Sequence, residues 1–155
     1  MASRAAFRFS QGALDGPVPP LALAITMGAT FVARGYAGEL RHLVWILGEA
    51  LQHRGYALVD VLQPCVTFNR PSAYDFYNPR VYKVEETDHD VTDQAAAWQR
   101  AMEWGDRIPI GIVYRGEPVP TYEEQVPALQ AGPLVEQPLE KLRPEQVEAL
   151  KAELV

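Results

Sequence analysis

The sequence is poor in cysteine: Cys65 stands alone among 155 residues. A single thiol excludes an internal disulfide framework, and it excludes any metal or iron–sulfur centre held by cysteines of this chain alone. Positive charge is also in deficit, with 14 Lys and Arg against 20 Asp and Glu and a formal charge of -6. That balance argues against a broad nucleic-acid or anionic-membrane surface, so no nucleic-acid partner is expected. Long apolar runs are missing too. The longest, PPLALAITMGATFVA, is too short and too interrupted by glycine to span a membrane. The opening MASRAAFRFSQGALDGPVPP has no sustained apolar core and does not read as a signal peptide. No internal repeat, glycine-rich phosphate cradle, GxSxG elbow or HExxH pair occurs. A soluble, cytoplasmic protein is the expectation, and an isolated thiol fits a reducing compartment.

What is present reads as an α/β chain. Residues 1–20 are loop, punctuated by Gly12, Gly16, Pro17, Pro19 and Pro20. Pro20 is a good first-turn residue, and Leu21 to Thr26 predicts a short helix that Gly28 stops. Thr30 to Ala33 is β-branched and apolar, a short buried strand, with a turn from Gly35 to Gly38. Leu40, Leu43, Val44, Leu47 and Leu51 recur at helical spacing, an apolar stripe on a helix from Glu39 to His53 that Gly55 ends. Ala57 to Leu62 shows little alternation, the pattern of a strand covered on both faces. A second long helix is predicted from Thr92 to Trp104, capped by Thr92 or Asp90, and a third strand from Ile108 to Val113. This rhythm of strand, helix, strand, loop, helix, strand predicts an open parallel sheet with flanking helices over residues 21–115. Residues 116–155 form a Pro- and Glu-rich tail. Pro144 opens a terminal helix there, with Val147, Leu150 and Leu154 as its stripe.

Few residues carry obvious chemistry. Cys65 ends the segment ALVDVLQPC, at the carboxyl end of a strand, where ligands of open α/β sheets gather. From the residues alone it is open to three readings: an inert cysteine, a nucleophile without an evident histidine partner, or a metal ligand without a second cysteine. His42, His53 and His89 lack zinc spacing. Thr67, Phe68, Asn69, Tyr74, Asp75, Phe76, Tyr77 and Asn78 form an aromatic and amide-rich loop at the strand end, suited either to binding or to covering the core. Glu85, Glu86, Asp88, Asp90 and Asp93 lack the calcium-loop pattern and read as a solvated turn. Arg34 and Arg41 are a weak anion-binding signal.

Four segments together resemble a known family. They are PLALAITMGATFVARGYAGELRHL, EALQHRGYALVDVLQPCVTFN, YDFYNPRVYKVE and IPIGIVYRGEPVPTYEE, and they span roughly residues 20 to 125. They resemble the second half of the β subunit, the thiamine-diphosphate-binding subunit, of 2-oxoacid:ferredoxin oxidoreductases. GATFVAR together with DVLQPCVTFN makes the resemblance specific. It implies a partial thiamine-diphosphate-binding α/β domain and a role in oxidative decarboxylation of a 2-oxoacid with coenzyme A, electrons passing to ferredoxin, or in the reverse reaction. The implied cofactors of the complete complex are thiamine diphosphate with Mg2+ and a 4Fe–4S cluster. By the same resemblance Cys65 is the last of four cluster ligands.

The departures are as informative. The early Cys-x-x-Cys, the third cluster cysteine and the Gly-Asp-Gly type motif of the family have no counterpart in this sequence. The expected partners are therefore the N-terminal half of the β subunit, subunits of α/γ type, ferredoxin, a 2-oxoacid and coenzyme A, with a dimer as a further expectation. The isolated chain is expected to bind none of the cofactors and to be enzymatically silent. The competing reading is a scaffold or protein-interaction module that keeps this fold without its chemistry.

Overall fold

A computed structural model describes residues 18–67, 73–136 and 144–153. Pro20 occupies the first turn of α1 (Pro20–Thr26), where a missing N–H costs nothing, and Gly28 closes the helix at φ 88°. The chain then runs through β1 (Phe31–Tyr36), α2 (Leu40–Gln52) and β2 (Ala57–Leu62). After the loop come α3 (Tyr74–Tyr77), β3 (Val81–Lys83), a 3-10 turn at Val84–Glu86, α4 (Gln94–Ala101) and β4 (Ile108–Arg115). Helix α2 begins after Glu39 and ends at His53, and β2 spans Ala57–Leu62, both as the sequence predicts. Strand β1 continues past the predicted Ala33 to Tyr36, and β3 and α3 occupy what reads as loop.

The four strands lie in the order β2-β1-β4-β3. The α/β class with flanking helices holds, but the sheet is mixed rather than wholly parallel. β1 and β2 are parallel, β3 and β4 are parallel, and the two pairs meet antiparallel along β1 and β4, with a register shift between Val32 and Ala33. Each parallel pair is a strand–helix–strand unit, and the loop and α3 bring the second unit in reversed. Helices α1 and α4 cover one face, where Leu21, Ile25, Val32, Ala97 and Val113 form a buried cluster. Helix α2 covers the other, setting Ile46 against Phe31, Ala33 and Ile112.

Three local expectations are corrected. The stripe of α2 is not its buried side: Leu40, Val44, Leu47 and Leu51 are exposed, and Ile46 is the residue fully enclosed. Of the stripe only Leu43 turns toward the sheet, and Ile46 and His42 beside it complete the seat. Gly35 lets Leu43 approach β1 more closely than any side chain would allow, and His42 donates to Glu85 at 3.2 Å. Strand β2, at the sheet edge, is half-buried rather than fully covered, with Leu58 packed against the α1 side and Ala57 and Val59 against the α2 side. The cap of α4 is Asp93, whose Oδ1 accepts from the N–H of Ala95 and Ala96 at 2.9 and 3.0 Å. Asp90 instead accepts from the N–H and hydroxyl of Thr92, shaping the preceding turn.

Residues from Tyr122 onward make a separate unit. It contains α5 (Tyr122–Gln125), two 3-10 turns and α6 (Pro144–Glu153), the terminal helix the sequence predicts. Gln130 Nε2 donates to the Glu123 and Glu124 carbonyls, fastening α5 to the turn after it. Of the expected stripe on α6, Val147 is half-buried, whereas Leu154 and the side chain of Leu150 lie outside the described residues.

Candidate functional site

The carboxyl ends of β1 and β2 carry the densest polar and aromatic grouping on the sheet. Parallel register places Arg34 of β1 beside Asp60 of β2. Arg34 Nε donates to Asp60 Oδ2 at 3.0 Å, although Arg34 is only 3% exposed. Its Nη1 is buried without a hydrogen-bond partner among the described residues, and the Trp104 ring centroid lies 5.3 Å from the guanidinium carbon. A buried charge of this kind is held by its carboxylate and by the aromatic face together.

Two residues further along β1, Tyr36 is enclosed by the loop that follows β2. Its hydroxyl donates to Asn78 Oδ1 at 2.6 Å, and the rings of Tyr74 and Tyr77 lie 6.2 and 5.7 Å away. Phe76 meets Tyr77 edge-on at 5.1 Å, while Arg80 caps Phe76 at 4.4 Å and donates to its carbonyl. Burial pushes the Tyr36 phenol above its ordinary value, reinforced by Tyr74 and Tyr77. Burial does the same to Tyr77, aided by Asp60 and opposed by Arg34. Both phenols therefore stay protonated at neutral pH, and Tyr36 acts as a donor to Asn78, not as a base.

Cys65 follows β2 through Gln63 and Pro64 and is exposed. The loop it enters is fastened on its far side by the Tyr36–Asn78 bond. Of the loop residues singled out in the sequence, Tyr74, Phe76, Tyr77 and Asn78 gather around Tyr36, whereas Phe68 and Asn69 lie outside the described residues. Asp75 stands in the first turn of α3. The two arginines are not brought together: Arg34 is buried in the sheet and Arg41 is exposed on α2. The acidic run disperses into structural tasks, with Glu85 accepting from the Ile112 N–H at 2.9 Å and Asp93 capping α4.

Each histidine is engaged elsewhere. His42 stacks on Trp45 and binds Glu85, His53 shares a 2.8 Å bond with the Thr30 hydroxyl, and His89 donates to the Val113 carbonyl at 2.8 Å. Among the described residues no three His, Cys, Asp or Glu side chains are grouped to hold a metal ion. An exposed thiol at a strand end suits a single ligand of a cluster completed from outside these residues.

Known proteins align with this arrangement. Residues 65–131 match the family model for the C terminal of the pyruvate ferredoxin oxidoreductase beta subunit. The chain is 43% identical over 125 residues to a 2-oxoacid:ferredoxin oxidoreductase subunit beta of a Sulfolobus species, covering 74% of this chain and 41% of the relative. It is 43% identical over 123 residues to the subunit of the same name from Saccharolobus solfataricus, covering 73% of this chain and 40% of that one. Over most of its length the chain is similar to part of the β subunits of 2-oxoacid:ferredoxin oxidoreductases.

It spans about two fifths of the length of the curated relatives it matches. A solved structure, 2-oxoglutarate:ferredoxin oxidoreductase from Magnetococcus marinus with 2-oxoglutarate, coenzyme A and succinyl-CoA bound, shares its fold. That match has a TM-score of 0.69 at 30% identity over 90% of this chain and 46% of the other. Within this β-subunit segment, Tyr36, Asp60 and Trp104 escape a reading of the sequence. Tyr36 is missed because β1 is read as ending at Ala33. Asp60 was findable: it occupies the same place in the second strand as Arg34 does in the first, four residues in.

Proposed function

We propose that this chain forms the C-terminal part of the β subunit of a 2-oxoacid:ferredoxin oxidoreductase. The complete enzyme converts a 2-oxoacid and coenzyme A to the acyl-CoA and carbon dioxide, and two electrons leave singly to two ferredoxins with release of one proton. The observation that carries this reading is the 43% identity over 125 residues. The exposed placement of Cys65 at the end of β2 supports its finer part.

In this reading Cys65 is one thiolate ligand of a 4Fe–4S cluster, and its other three ligands come from the N-terminal part of the subunit. The cluster, when bound, takes up electrons one at a time. Thiamine diphosphate with Mg2+ belongs to the same complex, but this sequence offers no Gly-Asp-Gly type motif to hold it, so these residues take no step through it. The chain's own contribution is positional. β2 ends at Leu62, two residues before Pro64, and Tyr36 fixes the return of the loop through Asn78. The pair of buried Arg34 and partly exposed Asp60 braces β2, from which that loop departs, against β1. Partners are the N-terminal part of the β subunit, α/γ-type subunits and ferredoxin, in the cytoplasm, and the chain alone binds no cofactor and has no activity.

The test is assembly of the full chain with an N-terminal β-subunit part and an α-type subunit. Iron content, visible iron–sulfur absorption and 2-oxoacid-dependent dye reduction are then recorded, with Cys65→Ser in parallel. The complex is expected to gain all three, and Cys65→Ser to lose or destabilise the cluster. An assembled complex without iron or activity supports the scaffold reading instead, and an unchanged cluster in Cys65→Ser removes Cys65 from the ligand set.

A further inference from the structure

At the end of the sheet remote from Cys65, four stretches of chain meet around one histidine. His53 closes α2, Thr30 precedes β1, Gly55 precedes β2, and residues 116–121 leave β4 as a strap leading to the separate unit. His53 Nε2 lies 2.8 Å from the Thr30 hydroxyl, and its ring stands tilted, 5.4 Å from that of Phe31. The strap is anchored on either side of this bond. Gly116 N–H donates to the Thr30 carbonyl at 2.9 Å, and Val119 N–H donates to the Arg54 carbonyl at 3.1 Å. Pro118 and Pro120 carry no N–H, so Val119 supplies the donor between them.

Packing makes the histidine part of the strap's seat. Gly55 has φ 131°, and a Cβ there would run into the Thr30 hydroxyl, the Val119 side chain and His53 Nε2 at once. The three groups close on a single point, with no side chain between them. The charges around that point favour one state of the ring. Arg115 of β4 lies over the Phe31 ring, 5.4 Å from its centroid, and acts on His53 as a neighbouring cation. Glu49 of α2 pairs with Arg115 rather than with the imidazole. Arg54 in the turn and Glu117 in the strap are the other charged side chains on the segments that meet here. Burial, reinforced by Arg115, holds the imidazole below the ordinary histidine value.

We infer that His53 is a pH-sensitive clasp for this strap. Neutral, the ring stays bonded to Thr30 and walls the seat of Val119. Once it gains a proton it is a second cation beside Arg115, and it is better solvated outside the seat. Its departure removes the wall against which Val119 rests, and the strap detaches from Thr30 and Arg54. The strands stay paired, because the N–H groups of Thr30 and Phe31 donate to the Tyr56 carbonyl at 3.2 and 3.1 Å without help from the histidine. By linkage, the opened strap takes up the proton more readily than the closed one, so opening grows as pH falls below ~6.5. The clasp belongs to this chain's own fold and is independent of the function proposed above.

The test is backbone amide exchange in the full 155-residue chain, read as protection factors near pH ~7.5 and ~5.5 so that the intrinsic pH dependence cancels. Protection at Gly116 and Val119 is expected to fall roughly threefold or more on acidification, while that of the central strand β1 holds. The His53 ring protons are followed by NMR in the same samples, and their titration midpoint is expected to coincide with that of strap opening. His53→Gln keeps a donor for the Thr30 hydroxyl but does not titrate in this range, so its strap protection is expected to be independent of pH. Strap protection that is the same at both pH values overturns the inference, as does an equal fall in His53→Gln. A fall whose midpoint follows His42 or His89 instead of His53 also overturns it, even where the variant does not fold. Protection lost throughout β1 together with the strap means global unfolding and overturns the clasp as well.

Discussion

Arg34 and Asp60 sit where two unlike demands meet. The guanidinium is nearly sealed from water, while its carboxylate partner keeps a side chain 27% exposed. Removing the carboxylate leaves a buried charge without its counter-ion, whose cost in closed sites is several kcal/mol and is moderated here by the partial exposure of Asp60. Asp60→Ala is expected to lower unfolding free energy by about 2 kcal/mol in urea denaturation. A loss no larger than that of an exposed pair such as Lys151–Glu148 would show that the pair does not brace the strands. His53 gives a pH dependence of definite sign. Burial, reinforced by the Arg115 cation, holds its imidazole below the ordinary histidine value. The folded state thus prefers the neutral ring, and the stability this contributes is present above pH ~6.5 and is lost as pH falls through the folded value. His53→Gln is expected to make the acid-side decline below pH ~6.5 shallower. An identical decline in the variant would place the titration elsewhere. Neither effect was legible in the sequence: Arg34 read as a weak anion binder because cross-strand register is a property of the folded sheet, and His53 read simply as a helix-end residue.

At the scale of elements, punctuation decided what could be read. Pro20 and Gly28 bracket α1, Gly55 follows α2, and β2 lies between Gly55 and Pro64, so each boundary has a residue that enforces it. The three-residue β3 follows Pro79 but is too short to show a pattern of its own, and only its pairing with Ile108–Ile110 of β4 makes it a strand. The cap of α4 shows the same limit at finer grain. Asp90, Thr92 and Asp93 are all good N-caps by type, and the turn closed by Asp90 on Thr92 hands the role to Asp93. Asp93→Ala is expected to cost about 1 kcal/mol and to lower the melting temperature by a few degrees, since it frees two N–H groups of the first turn. A variant that melts with the native chain would mean that fraying of α4 is tolerated. The apolar stripe of α2 was visible as a pattern, but a pattern cannot say which face meets the sheet. Gly35 and His42 settle that, leaving Leu40, Leu47 and Leu51 exposed.

For the whole molecule, the family resemblance was legible in segments such as GATFVAR and DVLQPCVTFN, and the fold class in the alternation of strand and helix patterns. The mixed direction of the sheet was not, since strand order depends on how the two strand–helix–strand units dock. Cys65 was legible as a position, at the end of β2, but its role depends on chain beyond the matched two fifths of a β subunit. No described helix is long and apolar enough to cross a membrane. The central claim is that this chain completes a 2-oxoacid:ferredoxin oxidoreductase. Its most direct test is the rate of ferredoxin reduction, in the presence of a 2-oxoacid and coenzyme A, by the remaining subunits with and without this chain. Reduction that appears only when the chain is added is the expected result. Subunits that assemble with the chain and still leave ferredoxin oxidised, across a panel of 2-oxoacids, would contradict it.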